Sequence, residues 1–198
     1  TLWVGGYGGL NRVGPDDRVT NYPQFQQRGG DNPLNMNIYV IQPDPARSST
    51  LLLGTEGDGV YRFDARSGRV SRLRHAQTRT PGAVWGARIH SMHALRDGAV
   101  WIGSERGITV LEARGGAMSH IELFRNDAAS GRDAVRALYQ DRGGWVWIGC
   151  DRTGLWMLDA KHRHGTQFLH DPGDSTSLPG NTVYCIHEDS NGQLWLGT

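Results

Sequence analysis

The sequence predicts an all-β fold, a β-propeller of four-stranded antiparallel blades, here an open segment of about four blades from a larger seven-bladed or double propeller. Three observations carry that reading. An apolar-Trp-apolar-Gly anchor recurs at near-equal spacing, short apolar runs keep a fixed register around each anchor, and turn residues separate the runs.

The anchor Leu2-Trp3-Val4-Gly5 returns as Leu51-Leu52-Leu53-Gly54, Val100-Trp101-Ile102-Gly103, Val146-Trp147-Ile148-Gly149 and Leu194-Trp195-Leu196-Gly197. Successive anchor glycines are 49, 49, 46 and 48 residues apart. A period in this range marks a repeat architecture in which each unit buries its apolar surface only against its neighbours.

Each anchor organises three further runs. Four or five residues after it comes a glycine followed by apolar alternation, as in Gly59-Val60-Tyr61-Arg62-Phe63 and Gly107-Ile108-Thr109-Val110-Leu111. A short run follows at 19–22, 70–73, 120–124 and 167–170, and another precedes the next anchor at 38–41, 89–95, 135–139 and 183–187. All have strand length and are rich in β-branched and aromatic residues. Asp97-Gly98, Arg142-Gly143-Gly144 and Asn191-Gly192 suit hairpins, because Gly and Asn accept positive φ cheaply. Residues 130–140 alone look helical, with Val135, Leu138 and Tyr139 at i, i+3, i+4. Their register matches that of the other pre-anchor runs, so a strand is expected there. Approximate units are 1–34 (partial), 35–85, 86–131, 132–179 and 180–198 (partial). Counted from the innermost strand outward, the tally is four first, five second, four third and four fourth strands. Unequal numbers fit a segment of a longer array, as does an opening on Thr1-Leu2-Trp3.

The 28 glycines and 7 tryptophans suit many tight turns around a core built from few large side chains. Lys plus Arg is 21 and Asp plus Glu 20, so no global field points to nucleic acid or an anionic membrane. No apolar run approaches the roughly 20 residues of a membrane span. Cys150 and Cys185 lie in no paired ligand motif and are expected to be unbonded. No cofactor or metal is expected. His90 and His93, three apart on a strand, point to opposite faces, and His162-x-His164 lies in a basic turn away from the loops considered below.

The stretch His170-Asp171-Pro172-Gly173-Asp174-Ser175-Thr176-Ser177-Leu178-Pro179-Gly180-Asn181-Thr182-Val183, continued by Ile186-His187-Glu188-Asp189 and Gly192-Gln193-Leu194-Trp195-Leu196-Gly197-Thr198, resembles the two-component regulator propeller repeat. Val135, Leu138, Asp141, Gly144 and Trp147-Ile148-Gly149 fit the same pattern. Earlier units depart from it: Leu95 stands where the repeat has Asp, and Leu51-Leu52-Leu53-Gly54 has no Trp. The resemblance implies an extracytoplasmic (periplasmic) sensor region, non-catalytic in itself, of a hybrid histidine kinase or diguanylate cyclase receptor. Its implied partners are the remaining blades, a downstream signalling module and an unknown small molecule or oligosaccharide, with a homodimer also open.

Loops joining second to third and fourth to first strands share one face of a propeller. There, two residues past each anchor glycine, stand Tyr7, Glu56, Glu105 and Asp151, with Arg106 and Arg152 after two of them. Trp85, Arg88, Tyr22 and Phe25 lie in the longer loops of that face. Carboxylates beside guanidinium groups can bind sugar hydroxyls, or they can pair locally and cap loop backbone. An aromatic on a loop can stack on a ligand or pack as a lid. Three acids on an arc favour a neutral hydroxyl-rich ligand over an anion. The expected ligand-binding set is Tyr7, Glu56, Trp85, Arg88, Glu105, Arg106, Asp151 and Arg152. The four anchor tryptophans are expected in the core, and Asp141 and Asp189 at turn-capping positions. Two other classes stay open: a protein-interaction scaffold, and a secreted propeller lyase, for which Glu105 or His90 would have to act as base.

Overall fold

The computed structural model describes residues 1–7, 9–22, 37–113, 116–121, 133–159 and 165–198. Phe25, His162 and His164 lie outside them. Strands alone make up the regular structure of these residues, so no helix among them is long and apolar enough to cross a membrane.

Five antiparallel sheets follow the repeat. The first holds β1 (Leu2–Gly6), β2 (Gly9–Val13) and β3 (Val19–Tyr22). The second is β4 (Ile38–Pro43), β5 (Thr50–Thr55), β6 (Val60–Asp64) and β7 (Val70–Arg72). A two-residue parallel pair not anticipated from sequence comes next, β8 (His75–Ala76) with β9 (Val84–Trp85). The third sheet is β10 (Ile89–Ala94), β11 (Val100–Ser104), β12 (Gly107–Leu111) and β13 (Met118–Ile121). The fourth is β14 (Val135–Gln140), β15 (Val146–Cys150), β16 (Leu155–Leu158) and β17 (Gly165–Phe168). The last is β18 (Cys185–Glu188) with β19 (Leu194–Gly197). Each sheet keeps sequence order, and among the described residues the strand types number four, five, four and four. Residues 135–140 are strand, because β14 must pair with β15 for its blade to exist.

The core lies between blades. Leu10 with Ile38, Leu53 and Phe63 fills the first interface. Leu52 and Val60 with Ile89, Met92 and Ile102 fill the second, and Trp101 and Ile108 with Val135, Leu138 and Ile148 the third. These apolar walls explain the anchor glycines. A Cβ at Gly54 would sit 2.7 Å from Ile89 Cγ2, and one at Gly103 2.7 Å from Val135 Cγ1. The second strand of one blade thus runs against the first strand of the next with no room for a side chain. Ser91 Oγ completes the seam, donating to Val135 O at 3.1 Å.

The tryptophan expectation needs correction. Trp101 is 1% exposed, Trp3 and Trp147 are half-buried, and Trp195 is 62% exposed. The anchor Trp faces the following blade, and residues 1–198 hold no blade beyond β18–β19. Trp147 meets an incomplete neighbour and stacks on Phe168, with ring centroids 6.0 Å apart. The neighbouring groove of about 480 Å³, lined by Leu155, Leu178 and Leu196, occupies the seam where complete blades carry third and fourth strands.

Asp141 and Asp189 cap their turns and also hold the anchor indoles. Asp141 accepts Trp145 N at 2.9 Å and Trp147 Nε1 at 2.7 Å; Asp189 accepts Gln193 N and, at 3.0 Å, Trp195 Nε1. The Trp195 indole, then the Gln193 and Asn191 backbone amides, hold the Asp189 carboxyl below its ordinary value. Cys150 is buried, which pushes its thiol up to about 12, and Cys185 is exposed; neither is bonded.

Candidate functional site: a cleft on the loop face

A cleft of about 530 Å³ opens on the face formed by the second-to-third and fourth-to-first connections. It is lined by Tyr39, Glu56, Arg88, His90, Glu105, Asp133, Ala134, Arg136, Asp151 and Arg152. A smaller cleft, about 290 Å³ around Arg47 and Arg62, lies among the turns of the opposite face.

Five of the eight expected residues line the larger cleft: Glu56, Arg88, Glu105, Asp151 and Arg152. Tyr7, 77% exposed, sits beside it with its ring 6.5 Å from that of Tyr39. The structure takes the other two elsewhere. Trp85 is buried, because β9 lays it on Gly107, where a Cβ would come within 2.7 Å of the ring. Arg79 covers it at 4.4 Å and His120 meets its edge. Arg106 turns toward the same loop and donates to Gln77 Oε1 at 2.9 Å.

Five lining residues stand outside the expected set, Tyr39, His90, Asp133, Ala134 and Arg136, and three of them share one cause. Each complete blade has a register break at the start of its first strand, between Ile38 and Val40, Ile89 and Ser91, and Val135 and Ala137. A bulge leaves one residue unpaired and re-aims its side chain. Those residues are Tyr39, His90 and Arg136, and all three line the cleft. The available signal was a Tyr, His or Arg at one register in every blade, directly after a β-branched apolar residue. Plain alternation could not say where it would point.

Each bulged residue stands near the loop acid of its own blade. Tyr39 hydrogen-bonds Glu56, which also accepts from Asn37 Nδ2. Those two donors, Asn37 first, hold the Glu56 carboxyl below its ordinary value. The bonds with Tyr7 and Glu56 push the Tyr39 phenol up, so it stays protonated. Arg136 Nε donates to Asp151 Oδ1 at 3.1 Å, with both side chains about one-third exposed. Pairs this wet contribute roughly 0–1 kcal/mol to stability, so they can open to a ligand cheaply. Glu105 behaves differently. Its carboxylate accepts Ala87 N at 3.2 Å and Arg88 N at 2.9 Å, capping the loop that enters β10. Buried Asp133 does the reverse in the next blade, reaching from the connection that enters β14 to cap the β15–β16 loop, where it accepts Thr153 N at 2.8 Å, Thr153 Oγ1 at 2.7 Å and Arg152 N at 3.1 Å. Among the described residues no group of three or more His, Cys, Asp or Glu side chains could hold a metal ion.

The fold and this cleft define a segment of β-propeller with a polar pocket on its loop face. Residues 177–198 match the model of the two-component regulator propeller family. Over 185 residues the chain is 23% identical to histidine kinase P4 of Formosa agariphila, covering 92% of this chain and 13% of that protein. The extracellular domain of the hybrid two-component system BT3049 of B. thetaiotaomicron superposes with a TM-score of 0.76 at 20% identity, over 99% of this chain and 26% of that one. PorZ, a surface component of the type-IX secretion system of Porphyromonas gingivalis, gives 0.66 at 19% identity, over 98% of this chain and 29% of that one. The chain therefore spans a small part of the relatives it matches.

Proposed function

We propose that residues 1–198 are part of the extracytoplasmic, ligand-sensing propeller of a bacterial two-component or cyclic-di-GMP receptor, with no catalytic role of their own. The family match at 177–198 and the likeness to histidine kinase P4 support the signalling context. The observation that carries the sensing role is the loop-face cleft, into which successive blades turn bulged polar residues beside loop acids. Its ligand is a small molecule or oligosaccharide, and its output runs to a downstream signalling module. A lyase would need a base and an electrophile converging on one point; of the two candidate bases, Glu105 is engaged by two backbone amides.

Calorimetric titration of the intact protein with a panel of oligosaccharides tests the reading. Arg136→Met and Tyr39→Phe remove donors at the cleft wall, so each is expected to weaken binding about 10-fold, as loss of one good hydrogen bond does. The melting temperature should stay within about 3 °C, since the Arg136 pair is solvent-screened. Unchanged affinity in both variants would place the ligand elsewhere.

A further inference from the structure

We propose that His90 is the residue through which this cleft recognises a neutral, hydroxyl-bearing ligand, an inference that rests on the sensing role above. The argument starts from the three bulges. In two blades the bulged side chain closes on its own loop acid, Tyr39 on Glu56 and Arg136 on Asp151. In the blade between them Glu105 is drawn off to the amides of Ala87 and Arg88. The pattern is broken there: the His90 imidazole, half-buried in the cleft wall, is not closed by its loop acid. Its ring nitrogens face the cleft, where a ligand hydroxyl can take the place of water.

The chemistry of the ring selects the ligand class. Burial first, then the Arg136 and Arg88 guanidinium groups, hold the imidazole below its ordinary value against the opposing pull of Glu105 and Asp151. Near neutral pH it is uncharged, with one nitrogen donating and the other accepting. A hydroxyl can do both in return, whereas a carboxylate or phosphate can only accept. An anion would also enter a wall that carries Glu56, Glu105, Asp133 and Asp151. Arg88 and Arg136 flank His90 as donors to further hydroxyl oxygens, and the Glu56 and Asp151 carboxylates accept from them. The set matches one face of a sugar ring.

The test is calorimetry on the intact protein at pH 7.5, with xylotriose, cellotriose and maltotriose as neutral probes and trigalacturonate as the acidic one. His90→Gln keeps one donor and one acceptor; His90→Phe keeps a ring and neither. At least one neutral trisaccharide is expected to bind. His90→Phe should weaken it by about 10-fold or more, and His90→Gln by less than about 3-fold. Equal weakening by both variants, tighter binding of trigalacturonate, or undiminished binding by His90→Phe overturns the proposal. A neutral sugar lost in Arg136→Met but retained in His90→Phe removes His90 and leaves the sensing role standing. No heat from any of the four removes the sugar assignment along with His90.

Discussion

Gly103→Ala probes the seam between blades, where the fold has least slack. The added methyl would meet Val135 Cγ1 at 2.7 Å, Val135 O at 2.9 Å and, closer still, Ser91 Oγ. Ser91 can rotate away only by giving up its bond to Val135 O. The Val135 carbonyl is backbone of a neighbouring strand and moves only with that strand. Overpacking a tight core costs roughly 1–3 kcal/mol, and a contact made by main chain belongs at the upper end. The expected loss is therefore about 3 kcal/mol. For a chain of this length it corresponds to a fall in melting temperature of about 6–12 °C. Gly180→Ala is the matched control, since a Cβ there meets nothing within 4 Å. Urea unfolding followed by tryptophan fluorescence, with thermal melts alongside, measures both. If Gly103→Ala lies within about 0.5 kcal/mol of Gly180→Ala, the anchor glycine does not mark close approach of blades, and the explanation of the repeat signature fails.

Two further outcomes are expected. Asp141→Ala removes the acceptor of both Trp145 N and Trp147 Nε1, and should cost about 1–3 kcal/mol in the same urea assay; no change in midpoint would show that the turn holds without its cap. Burial keeps the imidazoles of His75, His90 and His93 below their ordinary value, and His93 Nε2 accepts Gln140 N at 3.2 Å. Below about pH 6.5 the unfolded chain takes up protons that the folded chain refuses. Stability is therefore complete above pH 7 and falls as the pH drops through 6 toward 5. Urea midpoints equal at pH 7.5 and 5.5 would contradict these histidine environments.

The blades were legible in the sequence because a repeat states the same packing problem several times. An apolar-Trp-apolar-Gly strand has few uses, and its recurrence within a few residues of one spacing allowed strand types to be assigned and counted. Repetition also overruled local pattern at 135–140, where helical periodicity in isolation yields to pairing with 146–150. The common height of Glu56, Glu105 and Asp151 followed from register alone, since equivalent positions around a ring recur at equal radius. Tertiary structure decided everything that depends on a departure from that equivalence. A bulge is an event of strand pairing, so the direction of Tyr39, His90 and Arg136 was invisible to alternation along one strand. Whether a loop acid points into the cleft or caps a backbone amide depends on which donors lie within about 3 Å, which is why Glu105 and Asp151, alike in register, have different partners. Trp101 and Trp195 likewise share one sequence environment and differ in burial, because a blade's core is made by the next blade, and residues 1–198 supply one to Trp101 and none to Trp195.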